Sequence, residues 1–142
     1  MQPSTTISSI TQSDPVPNSN RNIIDYLVDD LHDGENLLGE VEPMESYGDR
    51  VTSDLCQRSL VGRERYGTFL QPFNGRDALL DAYEEALDLA TYLMQVVVES
   101  KASKRDEVYW AYRDALYVAA RIAKLMEKRQ NGQGSEKVGV QE

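Results

Sequence analysis

The sequence predicts an all-α fold, on three observations. Residues 77–100 and 106–129 space their apolar side chains three and four apart, the period of a helix with one buried face. Turn and cap residues punctuate these stretches: Gly67, Asn74-Gly75 and Asp106. No segment of useful length alternates apolar and polar residues as a strand does, and no internal repeat is present.

The elements follow in order. Residues 1–22, rich in Ser, Thr, Asn, Gln and Pro, read as a flexible N-terminal arm. Ile23–His32 forms a short helix with Ile23, Ile24, Leu27 and Leu31 on one side and Asp25, Asp29, Asp30 and Asp33 on the other; Gly34 ends it. Residues 35–48 are acidic, broken by Gly39 and Pro43, and read as a connection. Asp49–Tyr66 is the first substantial helix, with Gly67 placed for a left-handed cap. A turn-rich link over 67–76 contains Pro72 and Asn74-Gly75. The second long helix runs from Asp77 to about residue 100, and Lys101–Arg105 is a basic break. Asp106 caps a third long helix running to about Arg129, and residues 130–142 form a flexible tail. The helical domain therefore spans 23–129.

The third long helix carries two adjacent seams. Val108, Tyr112, Ala115, Ala119, Ile122 and Met126 form one; Ala111, Ala115, Val118, Ile122 and Leu125 form the other. A face this wide buries against more than one neighbour, so the bundle is expected to be completed by oligomerisation. Trp110 and Tyr117 are assigned to core or interface rather than to a base-stacking platform.

At 142 residues the chain is long enough for one domain with its own core, and its formal net charge is −9. That charge argues against a nucleic-acid polymer or an anionic membrane as partner. A nucleotide substrate remains compatible, because a bound divalent ion inverts the local field. The single cysteine, Cys56, allows no internal disulfide and suggests a reducing compartment; it lies in a polar helical stretch without an evident His partner. No apolar run approaches the ~18 residues of a membrane span. Nor does the N-terminus have the basic start and apolar stretch of a secretory signal, so a cytoplasmic location is expected.

Residues 74–95 hold the candidate chemistry. Asp81, Glu85 and Asp88 stand at i, i+4 and i+7, which places three carboxylates within roughly 40° to 60° on a helix. Such a row suits Mg²⁺ or Mn²⁺, hard cations that take several oxygen ligands. It also suits the wet side of an amphipathic helix, since Leu79, Leu80, Tyr83, Ala86, Leu87, Ala90, Leu93, Met94 and Val97 occupy the opposite side.

Three features favour a site. The row lacks the i+4 Lys or Arg that supports an exposed acidic helix, and Glu84 adds another carboxylate; the nearest cations are Arg76 before it and Lys101 after it. An antiparallel hairpin of 49–66 and 77–100 would make facing positions sum to about 143 and set Asp54 beside Glu85 and Asp88, with Arg58 one turn on. Glu64, about 15 Å from Asp54 along its helix, is the reserve ligand. Finally, Asn74-Gly75-Arg76-Asp77 brings a guanidinium to a helix N-terminus, a place that favours anions; a plain turn and N-cap account for Asn74, Gly75 and Asp77 but not for Arg76.

The string Asp54, Arg58, Gly62, Tyr66-Gly67, Leu70, Asn74-Gly75-Arg76-Asp77, Asp81, Glu85, Asp88 and Tyr92 resembles the MazG-like all-α nucleoside triphosphate pyrophosphohydrolases, in particular a phage branch of that family. The resemblance covers about residues 50–98; Glu85-Ala-Leu-Asp88, an E-x-x-D on one helix, is weak by itself, and the combined string is considerably more specific. It implies a MazG-like bundle, assembled as a homodimer or homotetramer, that hydrolyses a (d)NTP to the monophosphate and releases the two terminal phosphates as pyrophosphate. The phage branch implies (d)GTP, with a role in nucleotide-pool control and modified-DNA synthesis. Mg²⁺ or Mn²⁺ would be held by Asp54, Glu85 and Asp88, with Asp81, Glu84 or Glu64 as further ligands, and Glu84 or Glu85 would be the general base. Arg76 and Arg58, with Lys101 or Lys104, would contact phosphate, and a pocket with Asn74, Tyr66 or Tyr92 would select the base. One departure bears on the upstream ligand. The family's first helix carries E-x-x-E, whereas Ser53–Gln57 and Leu60–Glu64 each hold one acid, which leaves Asp54 against Glu64 open and the ion count with it. The competing reading is a non-enzymatic acidic phage protein that binds a host factor, consistent with the −9 charge and the acidic stretch 25–49.

Overall fold

A computed structural model of the chain describes residues 12–32 and 44–136. The described residues form four helices: α1 (Ile23–His32), α2 (Met44–Tyr66), α3 (Ala78–Glu99) and α4 (Glu107–Glu136). No strand occurs among the described residues, and the fold class is all-α as the apolar spacing predicts. The chain divides into two compact units, Met1–Arg76 and Asp77–Glu142. Asp33, Gly34 and most of the expected connection, through Pro43, lie outside the described residues, as do residues 1–11 and 137–142.

In the first unit α1 has the expected bounds and lies against α2. Helix α2 starts at Met44, five residues before the expected Asp49, and passes through Gly48, whose carbonyl accepts the Thr52 hydroxyl at 2.9 Å. A helix interior that glycine weakens by only about 1 kcal/mol tolerates it here. Gly67 closes α2 with φ +73°, and its N–H still reaches the Arg63 carbonyl at 2.8 Å.

Residues 12–22 are fastened to the 70–76 link rather than loosely attached. Asn18 and Gln71 pair reciprocally: the Asn18 N–H donates to Gln71 Oε1 at 2.9 Å, and Gln71 Nε2 donates to the carbonyls of Asn18 at 2.9 Å and Asn20 at 2.7 Å. Asn18 Nδ2 donates to the Pro72 carbonyl at 2.9 Å, Val16 N–H to Asn74 O at 2.9 Å, and Ile23 N–H to Leu70 O at 2.8 Å. These bonds satisfy the backbone of a link with no ladder of its own. The link turns at Gly75, φ +85°, where only glycine is unstrained. Gly75→Ala meets no neighbouring atom within 4 Å, so its cost is conformational alone. The expected loss is about 1 kcal/mol, read as a lowered denaturant midpoint in chemical unfolding.

The second unit is an antiparallel helical hairpin, since a seven-residue connection between long helices leaves them side by side. Asp77 is the N-cap of α3, its side chain accepting from Leu79 N–H at 3.1 Å and Leu80 N–H at 3.2 Å. The C-terminus is a Schellman closure in which Ala102 N–H reaches Val97 O at 2.9 Å and Lys101 N–H reaches Val98 O at 3.2 Å. Lys101 takes the left-handed position there, φ +52°. Asp106 precedes α4 as expected, but its carboxylate turns back to accept from Ser103 N–H at 2.5 Å, while its carbonyl starts the helical ladder with Tyr109 N–H at 3.0 Å. Helix α4 continues past the expected Arg129 to Glu136.

Small residues bring the helices together: among the described residues, Ala86, Ala90 and Val97 of α3 and Ala115 and Ala119 of α4 are the buried apolar ones. The first seam of α4 is thus used within the hairpin, with Val108, Tyr112, Ile122 and Met126 half-buried beside the alanines. Val118 and Leu125 of the second seam stay about half exposed, at 49% and 53%. Trp110 and Tyr117 do not enter the core of this chain; they are 58% and 66% exposed. Among the described residues no helix is long and apolar enough to cross a membrane.

Candidate site on the acidic helix

The row on α3 arises from the cap. With Asp77 fixing the first turn, the alanines and Val97 face α4 and the carboxylates take the other side. Glu85, Asp88 and Tyr92 are exposed, while Asp81 and Glu84 are half-buried. Among the described residues no ion pair reaches Glu84, Glu85 or Asp88, so their mutual repulsion is not relieved by a Lys or Arg. Glu85 and Asp88 are one turn apart, about 4.5 Å along the axis.

As donors, carboxylates of this kind fit Mg²⁺ or Mn²⁺. Among the described residues no group of three or more His, Cys, Asp or Glu is gathered tightly enough to hold one ion. The α3 row on its own therefore offers a pair of ligands, Glu85 and Asp88, rather than a closed cage.

The other candidates lie in the first unit or on the hairpin connection. Asp54 is exposed on α2 and pairs with Arg50 at 3.7 Å, an i, i+4 contact on open surface that contributes little. Arg58 and Glu64 are also exposed on α2. Tyr66 is 42% exposed, with the Arg65 guanidinium 5.2 Å from its ring centre. Lys101 and Lys104 are exposed in the connection between α3 and α4.

Asn74 and Arg76 have structural duties. Asn74 is 7% exposed; its Oδ1 accepts from Arg76 N–H at 3.0 Å, an Asx turn that shapes the link. The Arg76 guanidinium donates through Nη1 to Ser13 O at 2.7 Å, which ties the arm to the link. Clamping the arm is the reason for Arg76 that a turn-and-cap reading of the sequence lacked.

Three residues escape sequence reasoning. Asn18 and Gln71 are 53 positions apart, and nothing in local pattern pairs them. Arg129 forms a bidentate pair with Asp77, at 2.9 Å and 2.7 Å, tying the late part of α4 to the start of α3. Only the register of the α3–α4 hairpin brings these two side chains, 52 positions apart, together. This pair holds the Asp77 carboxyl below its ordinary range, chiefly through the Arg129 hydrogen bond and further through the Leu80 N–H, against the opposing effect of burial. Compared with protein-family models, with curated proteins and with solved structures, the chain matches none.

Proposed function

We propose that the protein is a metal-dependent nucleoside triphosphate diphosphohydrolase, taking a (d)NTP, in particular (d)GTP, and water to the (d)NMP and pyrophosphate. The observation that carries the reading is the set Glu84, Glu85 and Asp88 on a capped, regular helix without a cationic partner among the described residues. Like charges left together on one helix are costly, and a divalent cation relieves them.

In this reading Glu85 and Asp88 are the core ligands for Mg²⁺ or Mn²⁺, with Asp81 and Glu84 beside them. The upstream ligand, Asp54 or Glu64, and the phosphate contact Arg58 enter on the sequence alone. The metal would supply charge stabilisation on the phosphates and a more acidic water. Glu84 or Glu85 accepts the proton of the attacking water, and the bond between the α- and β-phosphates breaks. Arg76 can join only by exchanging its Ser13 carbonyl for a phosphate oxygen, a stronger, charge-assisted bond. Asn74 is less suited to base selection than Tyr66 or Tyr92, because it is buried and its Oδ1 is already bonded. The exposed apolar side chains flanking the hairpin, among them Leu89, Val96, Val118 and Leu125, support assembly as a homodimer or homotetramer.

The purified protein, incubated with each common (d)NTP and Mg²⁺ or Mn²⁺, is expected to release the monophosphate and pyrophosphate, resolved by chromatography, and EDTA is expected to stop the release. If no nucleotide yields a monophosphate, the hydrolase reading fails and a non-enzymatic acidic interaction protein takes its place.

A further inference from the structure

The second unit carries another charged surface, which the proposed hydrolysis does not use. Trp110, Arg113, Tyr117, Arg121, Lys124 and Lys128 fall within about 80° on α4 at 100° per residue. All six are exposed, and the Arg121 guanidinium lies 5.2 Å from the Tyr117 ring centre. Acids flank the ridge: Asp114 lies about 20° beyond one edge and Glu127 about 40° beyond the other. The ridge points away from α3, opposite the buried Ala115 and Ala119. The acidic row of α3, with Tyr92 in it and Glu99 at its end, points away from α4 in the same manner, opposite Ala86, Ala90 and Val97. One hairpin thus carries surfaces of opposite sign back to back. Their lengths match within about a turn: Arg113 to Lys128 spans about 22 Å and Asp81 to Glu99 about 27 Å.

We propose that the α4 ridge docks on the acidic α3 row of a second copy of this chain. The charges are complementary, and each surface brings aromatic side chains that are otherwise left in water. A helix fits the ridge better than a nucleic acid does. Trp110 and Tyr117 are about 10.5 Å apart along the axis, the i, i+7 repeat of a facing helix and not the roughly 3.4 Å of adjacent stacked bases. Asp114 stands between them, and a chain of net charge −9 repels a long polyanion.

Because ridge and row face opposite ways, one pairing leaves an unused ridge on one copy and an unused row on the other. The contact is heterologous, and copies add head to tail until a ring closes or a filament grows. The ridge also competes with divalent metal for the same carboxylates, so assembly weakens as Mg²⁺ is added. The docking does not depend on the hydrolase reading, which only adds this competition.

Sedimentation velocity on the full chain, in low salt with EDTA, tests the proposal. Species larger than a dimer are expected, shrinking with Mg²⁺ or with high salt. Two variants separate the surfaces: Arg121→Glu/Lys124→Glu/Lys128→Glu removes the ridge, and Glu85→Lys/Asp88→Lys removes the row. Each alone should lose at least about tenfold in ridge-to-row association, and an equimolar mixture should regain a single such contact for each pair of complementary copies, without the head-to-tail growth of the wild type. Arg121→Gln/Lys124→Gln/Lys128→Gln repeats the ridge test should the reversed charges unfold the chain, which circular dichroism reports. A monomeric wild-type protein, variants that assemble as wild type does, or a mixture that stays monomeric each overturns the proposal. So does a short single-stranded oligonucleotide that binds the wild type and is lost with the ridge. Absence of monophosphate release sinks the hydrolase reading and leaves these assembly outcomes unchanged.

Discussion

Glu85→Gln/Asp88→Asn should lose nucleotide turnover by on the order of a thousandfold or more while keeping the helical circular dichroism of the wild type. The substitutions keep size and polarity and remove only the charge that a divalent ion needs. Both side chains are exposed and make no ion pair among the described residues, so the fold has nothing to lose from them. Relief of repulsion should even raise thermal stability slightly in the absence of metal. A variant that keeps full activity would remove the α3 row from the chemistry. The upstream ligand has a companion measurement: on the sequence reading, which prefers Asp54, Asp54→Asn is expected to reduce turnover much more than Glu64→Gln. The reverse order would move the ligand to Glu64.

Local signals were legible in the sequence where the cause is local. The bounds of α1, the left-handed Gly67, the cap Asp77 and the split of α3 into an apolar and an acidic side follow from chemistry within a turn or two of each residue. Limits that depend on weak helix breakers were not: α2 continues through Gly48 and α4 through Gly132, because each glycine lowers helix stability by only about 1 kcal/mol. Long-range partners were out of reach as well. Asn18 with Gln71, Arg76 with Ser13, and Asp77 with Arg129 are each more than 50 positions apart. The seam of α4 shows the limit in a different way. Its periodicity marks a buried face correctly, yet cannot say whether a neighbour in the same chain or in another copy covers it. Ala115 and Ala119 are covered by α3, and Val118 and Leu125 are left about half exposed. In the candidate site, residue types and spacing pointed to Glu85 and Asp88. That the Arg76 guanidinium is already engaged became visible only with the arm in place, whereas the Asn74 side chain is held by a local turn.

Asp77 should be the most consequential single side chain for the stability of the hairpin. It accepts from two N–H groups at the start of α3, which otherwise have no helical partner, and binds Arg129 through both oxygens. Asp77→Ala removes the cap and the pair together, and the cap loss alone is expected to lower unfolding free energy by about 1–2 kcal/mol. Asn is as good a cap as Asp, so Asp77→Asn should retain that part and lose only the charge pairing. The pH dependence carries the sign of the depressed carboxyl. In the unfolded chain Asp77 protonates near pH 4, at about 3.9, and in the folded hairpin lower still. Its charge therefore stabilises the fold fully above that range, and the contribution disappears as pH falls through the folded value. Urea unfolding at pH 7 and at pH 3 should show the gap between wild type and Asp77→Asn narrowing at the lower pH, with high salt narrowing it at pH 7, since both partners are partly exposed. A gap that stays constant with pH would mean that the Asp77 carboxyl titrates alike in the folded and unfolded chain, and that its pairing with Arg129 adds nothing to stability at pH 7.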